Sequence, residues 1–172
     1  AALVLGSGLG GGIIINGKLF QGSHFQAGEL TFLLPLQMEK LDPSLMQETT
    51  LSAIGLITKV NEILASLDLK DGLLAFKAIN AKKEAVYPIF ETYCRNLAIT
   101  ILNLQTIFDM ETFVLGGGIS AQSILIEEVN RQFDKVHHEI DFIGKIIKRP
   151  KIVACHHNGT NLIGAAYFLK QG

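Results

Sequence analysis

The chain has 172 residues, of which 48% are hydrophobic, and its formal net charge is −1. This composition predicts one domain over residues 1–172, and it argues against disorder, a membrane span and a nucleic-acid partner. The two cysteines, Cys94 and Cys155, form neither a zinc knuckle nor a disulfide framework, so we expect a reducing, cytoplasmic compartment.

Short strands and turns are predicted for the beginning of the chain. Residues 1–5 are apolar and precede a glycine, which is typical of a buried strand. Residues 12–15 and 18–20 predict a β-hairpin, because the Asn-Gly pair between them accepts the positive φ angles of a tight turn. Residues 21–36 lack a clear period and are expected to be loop with short strand pieces.

Helices are predicted for the middle of the chain. Apolar residues at three-to-four spacing predict a helix that starts near Ser44 or Thr49 and runs to about Leu64. A shorter helix is predicted over residues 71–79. The strongest pattern is an unbroken apolar stripe over residues 86–108, which indicates a long core helix rather than a cofactor site.

The last third alternates strands and helices. Residues 113–115 predict a strand, and a triple-glycine turn follows it. Ser120 is then expected to cap a helix that extends to about Val136. A strand over residues 151–155 and a helix over 161–169 complete a mixed α/β domain.

Residues 6–11 match the pattern Gly-x-Gly-x-x-Gly. The dinucleotide fingerprint needs a helix directly after this pattern, but here a hairpin strand follows. Backbone N–H groups in a glycine turn can still converge on a phosphate, and Ser7 adds a hydroxyl donor. A glycine-rich bend without a ligand explains the same residues equally well.

A second glycine turn, residues 116–118, lies between a strand and a helix. Open α/β sheets bind ligands at this type of position, and three glycines allow a flat group such as adenine or ribose to approach closely. A tight β–α turn is the better explanation of this segment alone. The two glycine turns together favour a nucleotide.

The combined motifs resemble the ROK family of sugar kinases and sugar-responsive repressors. The matching stretches are, in family order, LVLGSGLGGGIIINGKLFQG, QAGEL, FVLGGGIS and NLIGAA. The resemblance implies a lobe with the ribonuclease H-like fold of hexokinase and actin, a mixed β-sheet with flanking helices. It also implies ATP with Mg²⁺, a sugar substrate and a homodimer.

The resemblance also implies the roles of individual residues. Glu29 receives sugar hydroxyls, although on sequence alone an exposed turn residue is the more common interpretation. The ATP phosphates and the adenosine are implied to lie on seven residues: Gly6, Ser7, Gly8, Gly10, Gly116, Gly117 and Gly118.

Two departures from the family pattern concern the sugar site. Thr31 and Phe32 replace a common Gly-His pair, and residues 28–52 contain no cysteine, so we expect no structural zinc. The segment LDPSLMQETTLS is similar to the zinc-less branch of β-glucoside kinases. Glu48 is therefore assigned to the sugar as well, with a carboxylate at a helix N-terminus as its structural alternative.

The family's N-terminal lobe, with its catalytic aspartate, is not in this sequence. We therefore expect the C-terminal lobe of an ATP-dependent hexose or β-glucoside kinase that is inactive by itself. The alternatives are the effector domain of a ROK-type repressor, which would contact nucleic acid only through an N-terminal extension, and an α/β module without a ligand. The histidine pairs at 137–138 and 156–157 are interpreted as surface or loop residues rather than as metal ligands.

Overall fold

The computed structural model describes residues 1–33, 51–139 and 142–156. In this part of the chain the strands form a four-stranded sheet and a two-stranded hairpin. The strands are β1 (Ala2–Leu5), β2 (Leu9–Gly12), β3 (Ile14–Ile15), β4 (Lys18–Leu19), β5 (Thr112–Gly117) and β6 (Lys151–Ala154).

The larger sheet has the strand order β2-β1-β5-β6 and is mixed. β1 pairs with β2 in the antiparallel sense and with β5 in the parallel sense, and β5 is parallel to β6. Leu5 lies opposite Gly117 in the β1–β5 register. Both strands therefore end side by side at the same edge of the sheet.

Helices occupy the long connection between β1 and β5 and the shorter one between β5 and β6. They are a 3₁₀ turn (Leu30–Phe32), α1 (Ala53–Ile63), α2 (Gly72–Asn80), α3 (Tyr87–Phe108), α4 (Ser123–His138) and the short α5 (Ile143–Ile146). α3 packs along α4, and α1 contacts both α2 and α3. No helix in the described part of the chain has the length and apolarity that a membrane span requires.

Alternate residues of the central strands face the core. Leu3 and Leu5 of β1 and Phe113 and Leu115 of β5 are almost fully buried. Successive strand side chains point to opposite faces, so this alternation buries one face of the sheet. The apolar stripe of α3 supplies Phe90, Leu97 and Ile101 to the same core, which confirms the predicted core helix.

Several predicted elements are confirmed close to their expected positions. Asn16 and Gly17 have φ angles of 52° and 74°, as the hairpin turn requires. α2 begins after Asp71, whose carboxylate accepts a hydrogen bond from the Leu74 N–H at 3.0 Å. The helix predicted to begin near Ser44 or Thr49 is helical from Ala53; both proposed starts and the helix over 161–169 lie outside the described residues.

The predicted cap of the helix after the triple glycine is wrong. α4 begins at Ser123, and Gln122 occupies the N-cap position. The Ser120 hydroxyl instead donates to the carbonyl oxygen of Gly117 at 2.8 Å, within a tight turn. A serine satisfies a turn carbonyl as readily as a helix N-terminus, so sequence alone did not separate these two roles.

The first glycine loop is shorter than its sequence pattern. β2 begins at Leu9, so Gly10 is a strand residue that pairs with Val4 rather than part of a loop. Only residues 6–8 form the bend between β1 and β2.

Candidate functional site

Two glycine turns leave neighbouring parallel strands at one edge of the sheet. The first covers residues 6–8 and follows β1, and the second covers residues 118–121 and follows β5. The predicted turn over residues 116–118 is wrong, because Gly116 and Gly117 still belong to β5. The carboxyl ends of parallel strands form the usual binding edge of an open α/β sheet. The pairing of Leu5 with Gly117 therefore places both turns at such an edge.

Gly6 lies beside the N-terminus of α1. Its N–H donates to the carbonyl oxygen of Gly8 at 3.0 Å, and its own carbonyl accepts from the N–H of Ala53, the first residue of α1, at 2.9 Å. A Cβ added at Gly6 would meet no neighbouring atom within 4 Å. The partial positive charge of a helix N-terminus favours an anion at this open position.

Gly117 and Gly118 are adjacent but differ in their surroundings. Gly117 has a φ of 97°, and a Cβ there would lie 2.1 Å from the carbonyl oxygen of Leu5. The close approach of β1 therefore requires this glycine. A Cβ on Gly118 would meet nothing within 4 Å, so its bare backbone faces open space.

Gly6 and Gly118 line one cleft with a volume of about 500 Å³. This size suits a small-molecule or cofactor site, for which roughly 300–1,000 Å³ is usual. The other walls come from the turn before α4, the first turns of α1 and α2, and the loop between these two helices. Their lining residues are Leu5, Ala53, Ile54, Ile57, Asp68, Lys70, Asp71, Gly72, Leu73, Phe76, Ile119 and Gln122.

Charge is distributed unevenly among the residues that line this cleft. Two carboxylates, Asp68 and Asp71, and one ammonium group, Lys70, lie on the α1–α2 side, where the Asp68 carboxylate accepts from the backbone N–H of Lys70 at 2.8 Å. The Gly6 side has the N-terminus of α1 instead. A phosphate is therefore favoured near Gly6, and the apolar side chains of Ile54, Ile57 and Phe76 suit an uncharged ring.

A buried asparagine holds the loop before α2 in place. Asn61 is fully buried, and its Nδ2 donates to the carbonyl oxygens of Leu69 at 3.2 Å and Asp71 at 2.9 Å. Sequence reasoning missed this wall of the cleft. The Asp-Gly pair before an apolar run signals a capped helix, but nothing local indicates that this helix faces Gly6.

The remaining predicted nucleotide residues do not line this cleft. Ser7 is exposed at the tip of the bend, and the Cα of Gly8 is covered by Thr31, whose Oγ1 would lie 2.2 Å from a Cβ. Gly10 and Gly116 lie within strands β2 and β5.

Of the two predicted sugar residues, the structure describes Glu29, which does not line this cleft. Glu29 is exposed and precedes the 3₁₀ turn, on a segment packed against β2 rather than on the cleft described above. This segment approaches closely, because a Cβ on Gly28 would lie 2.3 Å from the carbonyl oxygen of Gly11. Glu48 lies outside the described residues.

A second cleft of about 500 Å³ lies between α3 and α4. At its base lies the Glu128 side chain, which is only 4% exposed. Its carboxylate accepts hydrogen bonds from the Tyr87 hydroxyl, the Arg131 guanidinium and the Gln132 amide. Arg131 also forms an ion pair with Glu91. Burial alone would raise the pKa of Glu128, but these donors outweigh it and hold the pKa below its usual value. Burial and the Glu128 carboxylate raise the pKa of Tyr87 to about 12. These hydrogen bonds and ion pairs link Tyr87 and Glu91 of α3 to Glu128 and Arg131 of α4.

The interpretation of His137 as a surface residue is wrong. Its side chain is buried in α4, stacks on Phe133, and its Nε2 donates to the carbonyl oxygen of Ile147 at 2.7 Å. His138 is exposed, with its Nδ1 2.7 Å from the carbonyl oxygen of Asp134. These contacts give His137 a packing role.

Comparison with known proteins agrees with the fold. The sequence model of the ROK family matches residues 1–172. The chain belongs to the ROK family. A solved ROK family protein from Streptococcus pneumoniae, crystallised with sucrose, is 27% identical and superimposes with a TM-score of 0.77 over 99% of this chain and 59% of its own. The predicted ROK lobe with the actin-like ATPase fold is confirmed.

Curated ROK relatives are named as sugar kinases. An N-acetyl-D-glucosamine kinase from Vibrio cholerae is 30% identical over 97% of this chain, and a β-glucoside kinase from Listeria innocua is 29% identical over 98%. The chain spans 57% and 55% of their respective lengths. A glucokinase from Streptomyces griseus, solved with glucose and AMPPNP, shares the fold with a TM-score of 0.78 at 21% identity.

Proposed function

We propose that the chain is the nucleotide- and sugar-binding lobe of an ATP-dependent sugar kinase. The observation that carries this proposal is the shared cleft of Gly6 and Gly118, two open backbone positions at the carboxyl ends of paired strands. The kinase names of the curated relatives support the same conclusion. They favour a kinase over the sugar-sensing effector domain of a repressor.

In this proposal the nucleotide has a definite orientation. Its phosphates lie at the Gly6 turn, where the N-terminus of α1 complements their charge. The base and ribose lie toward Gly118 and the apolar residues of α1 and α2. The residues present fit a nucleotide, because both glycines line the cleft and a Cβ at either one would meet no protein atom within 4 Å, which leaves room for a ligand against the backbone. Mg²⁺ bound with the triphosphate would offset part of its negative charge.

The turn over residues 6–8 contributes to phosphoryl transfer by positioning. The reaction needs an in-line arrangement of the phosphate and the sugar hydroxyl more than covalent help from the protein. We assign the phosphates to the segment of Gly6, Ser7, Gly8 and Gly10, and the adenosine to the segment of Gly116, Gly117 and Gly118, with direct contact at the two glycines that line the cleft, Gly6 and Gly118. Gly8, Gly10, Gly116 and Gly117 then act mainly by shaping the strands that present the open glycines.

We assign the sugar to Glu29 and Glu48. A carboxylate accepts hydrogen bonds from two neighbouring hydroxyls at once, which suits a pyranose ring. Glu29 is exposed and available for such bonds. The names of the curated relatives point to N-acetyl-D-glucosamine and β-glucosides as the first sugars to test.

Calorimetric titration with MgAMPPNP tests the nucleotide site. Ile54 and Ile124 are each the second residue of a helix, and they line the Gly6–Gly118 cleft and the α3–α4 cleft respectively. I54W fills the first cleft and should weaken binding by at least about tenfold. I124W is the matched control and should bind like the wild type; weaker binding in I124W alone would contradict the proposal.

We also propose that the cytoplasmic protein pairs with a second copy. This rests on the family resemblance, and sedimentation velocity at micromolar concentration tests it. A dimer is the expected result, and a single monomeric species would refute it.

A further inference from the structure

A threonine joins the segment that carries Glu29 to the strand that continues the Gly6 turn. The Thr31 Oγ1 accepts a hydrogen bond from the Leu9 N–H at 2.8 Å and lies 3.3 Å from the Leu9 carbonyl oxygen, to which it donates. One hydroxyl therefore satisfies both backbone groups of the first residue of β2. Serine and threonine are the aliphatic side chains that can donate and accept through one atom.

Burial makes this pair of hydrogen bonds important. Leu9 is 2% exposed, so water has little access to its backbone groups. A buried N–H or carbonyl without a partner is strongly disfavoured, and native structures pair nearly all of them. Loss of the Thr31 hydroxyl should therefore force the strand or the 3₁₀ turn to move until other partners are found.

Packing holds the same junction at two further points. The Thr31 Oγ1 covers the Cα of Gly8, and the Leu30 side chain covers Gly11, where a Cβ would lie 2.8 Å from its Cδ1. The 3₁₀ turn therefore lies on β2 from the end of the bend at Gly8 to Gly11. Glu29 is two residues before Thr31, and Gly6 is three residues before Leu9.

We propose that Thr31 is a positioning residue that fixes the distance between the sugar-binding carboxylate of Glu29 and the phosphate-binding turn at Gly6. It touches neither substrate; it acts through Leu9 and Gly8. This inference rests on the proposed function, because it assigns a sugar to one side of the link and a phosphate to the other. It predicts that sugar and nucleotide affect each other's affinity through this hydroxyl, by the same factor in both directions.

Three variants of the whole chain test the link. T31A removes the hydroxyl, and T31S keeps it while losing only the methyl group. T100A is the matched control, because Thr100 is also partly exposed and its hydroxyl donates to a backbone carbonyl, that of Asn96 at 3.0 Å, within α3 and away from both clefts. MgAMPPNP affinity is measured with and without saturating methyl β-D-glucoside or N-acetyl-D-glucosamine, beside the exchange rate of the Leu9 amide.

T31A should weaken MgAMPPNP binding by about tenfold, abolish the effect of sugar on that affinity and speed exchange at Leu9. T31S should stay within about twofold of the wild type, and T100A should match it. A folded T31A with wild-type affinity and wild-type sugar dependence would overturn the inference. If T31A does not fold, T31S decides: wild-type behaviour supports the hydroxyl, and a loss in T31S overturns it.

Titration of the wild type tests nucleotide and sugar binding separately from the role of Thr31. If the wild type binds neither MgAMPPNP nor either sugar, the proposed function fails. If it binds both and T31A behaves in the same way, the proposed function stands and the role of Thr31 fails.

Discussion

The neighbouring glycines 117 and 118 provide a direct test of how the cleft is built. The G117A and G118A variants add the same methyl group one residue apart. In G117A the methyl collides with the carbonyl of Leu5, and a φ of 97° is unfavourable for alanine. In G118A the methyl meets no protein atom within 4 Å, and Gly118 lines the cleft.

The structure sets the size of each effect. Left-handed backbone costs an alanine about 1–2 kcal/mol, and overpacking adds about 1–3 kcal/mol. G117A should therefore lose roughly 2–5 kcal/mol of stability. For a chain of this length that corresponds to a fall in melting temperature of roughly 4–20 °C. The free energy of unfolding of G118A should lie within about 0.5 kcal/mol of the wild-type value, which is the usual range for an exposed substitution.

Thermal melts followed by circular dichroism measure the stability, and calorimetric titration with MgAMPPNP measures the ligand. G118A should keep its melting temperature in the absence of ligand and lose at least about tenfold in affinity, because the methyl occupies ligand space. The reasoning is refuted if G118A binds like the wild type. It is equally refuted if G117A melts at the wild-type temperature, since the close approach of β1 and β5 would then be incorrect.

Three further predictions concern single side chains. The pKa of Glu128 is depressed in the folded state, so its contribution to stability is present at neutral pH and lost as the pH falls through the folded value. E128Q should therefore lower stability at pH 7 and flatten the acid limb of stability, measured by urea denaturation, below roughly pH 5. N61A removes the amide that holds the loop before α2, so it should weaken MgAMPPNP binding by about 3–10 times. N80A is the control and should leave this affinity unchanged, because the Asn80 amide forms its hydrogen bond within its own helix. Burial raises the pKa of the Cys94 thiol well above its usual value, so mass spectrometry should find Cys94 unmodified by iodoacetamide at pH 8 in the native protein and modified in urea.

Much of the fold could be predicted from local patterns. The Asn16-Gly17 turn and the apolar stripe of α3 depend on residues close in sequence, so periodicity and turn chemistry identified them. The predicted start of α4 was two residues too early, because Ser120 bonds to a turn carbonyl rather than to the helix. Local preference does not decide between two acceptable partners of one hydroxyl.

The candidate site depends on contacts between distant segments, and these were only partly foreseen. Gly6 and Gly118 are 112 residues apart, and the parallel pairing of Leu5 with Gly117 brings their turns together. The resemblance treated the glycines of each turn alike, yet Gly117 is required by β1 and Gly118 is open. Asn61 lies in α1 and Thr31 in the 3₁₀ turn, and their roles arise from hydrogen bonds to the backbone of other segments, for which a single sequence carries no local signal.

Backbone amide chemical shifts during a titration with MgAMPPNP test the central claim most directly. The amides of Gly6 and Gly118 should shift together and saturate with one dissociation constant, while the amide of Glu91 in the α3–α4 cleft should not shift. A titration that shifts the Glu91 amide and leaves both glycine amides unchanged would contradict the proposed nucleotide site.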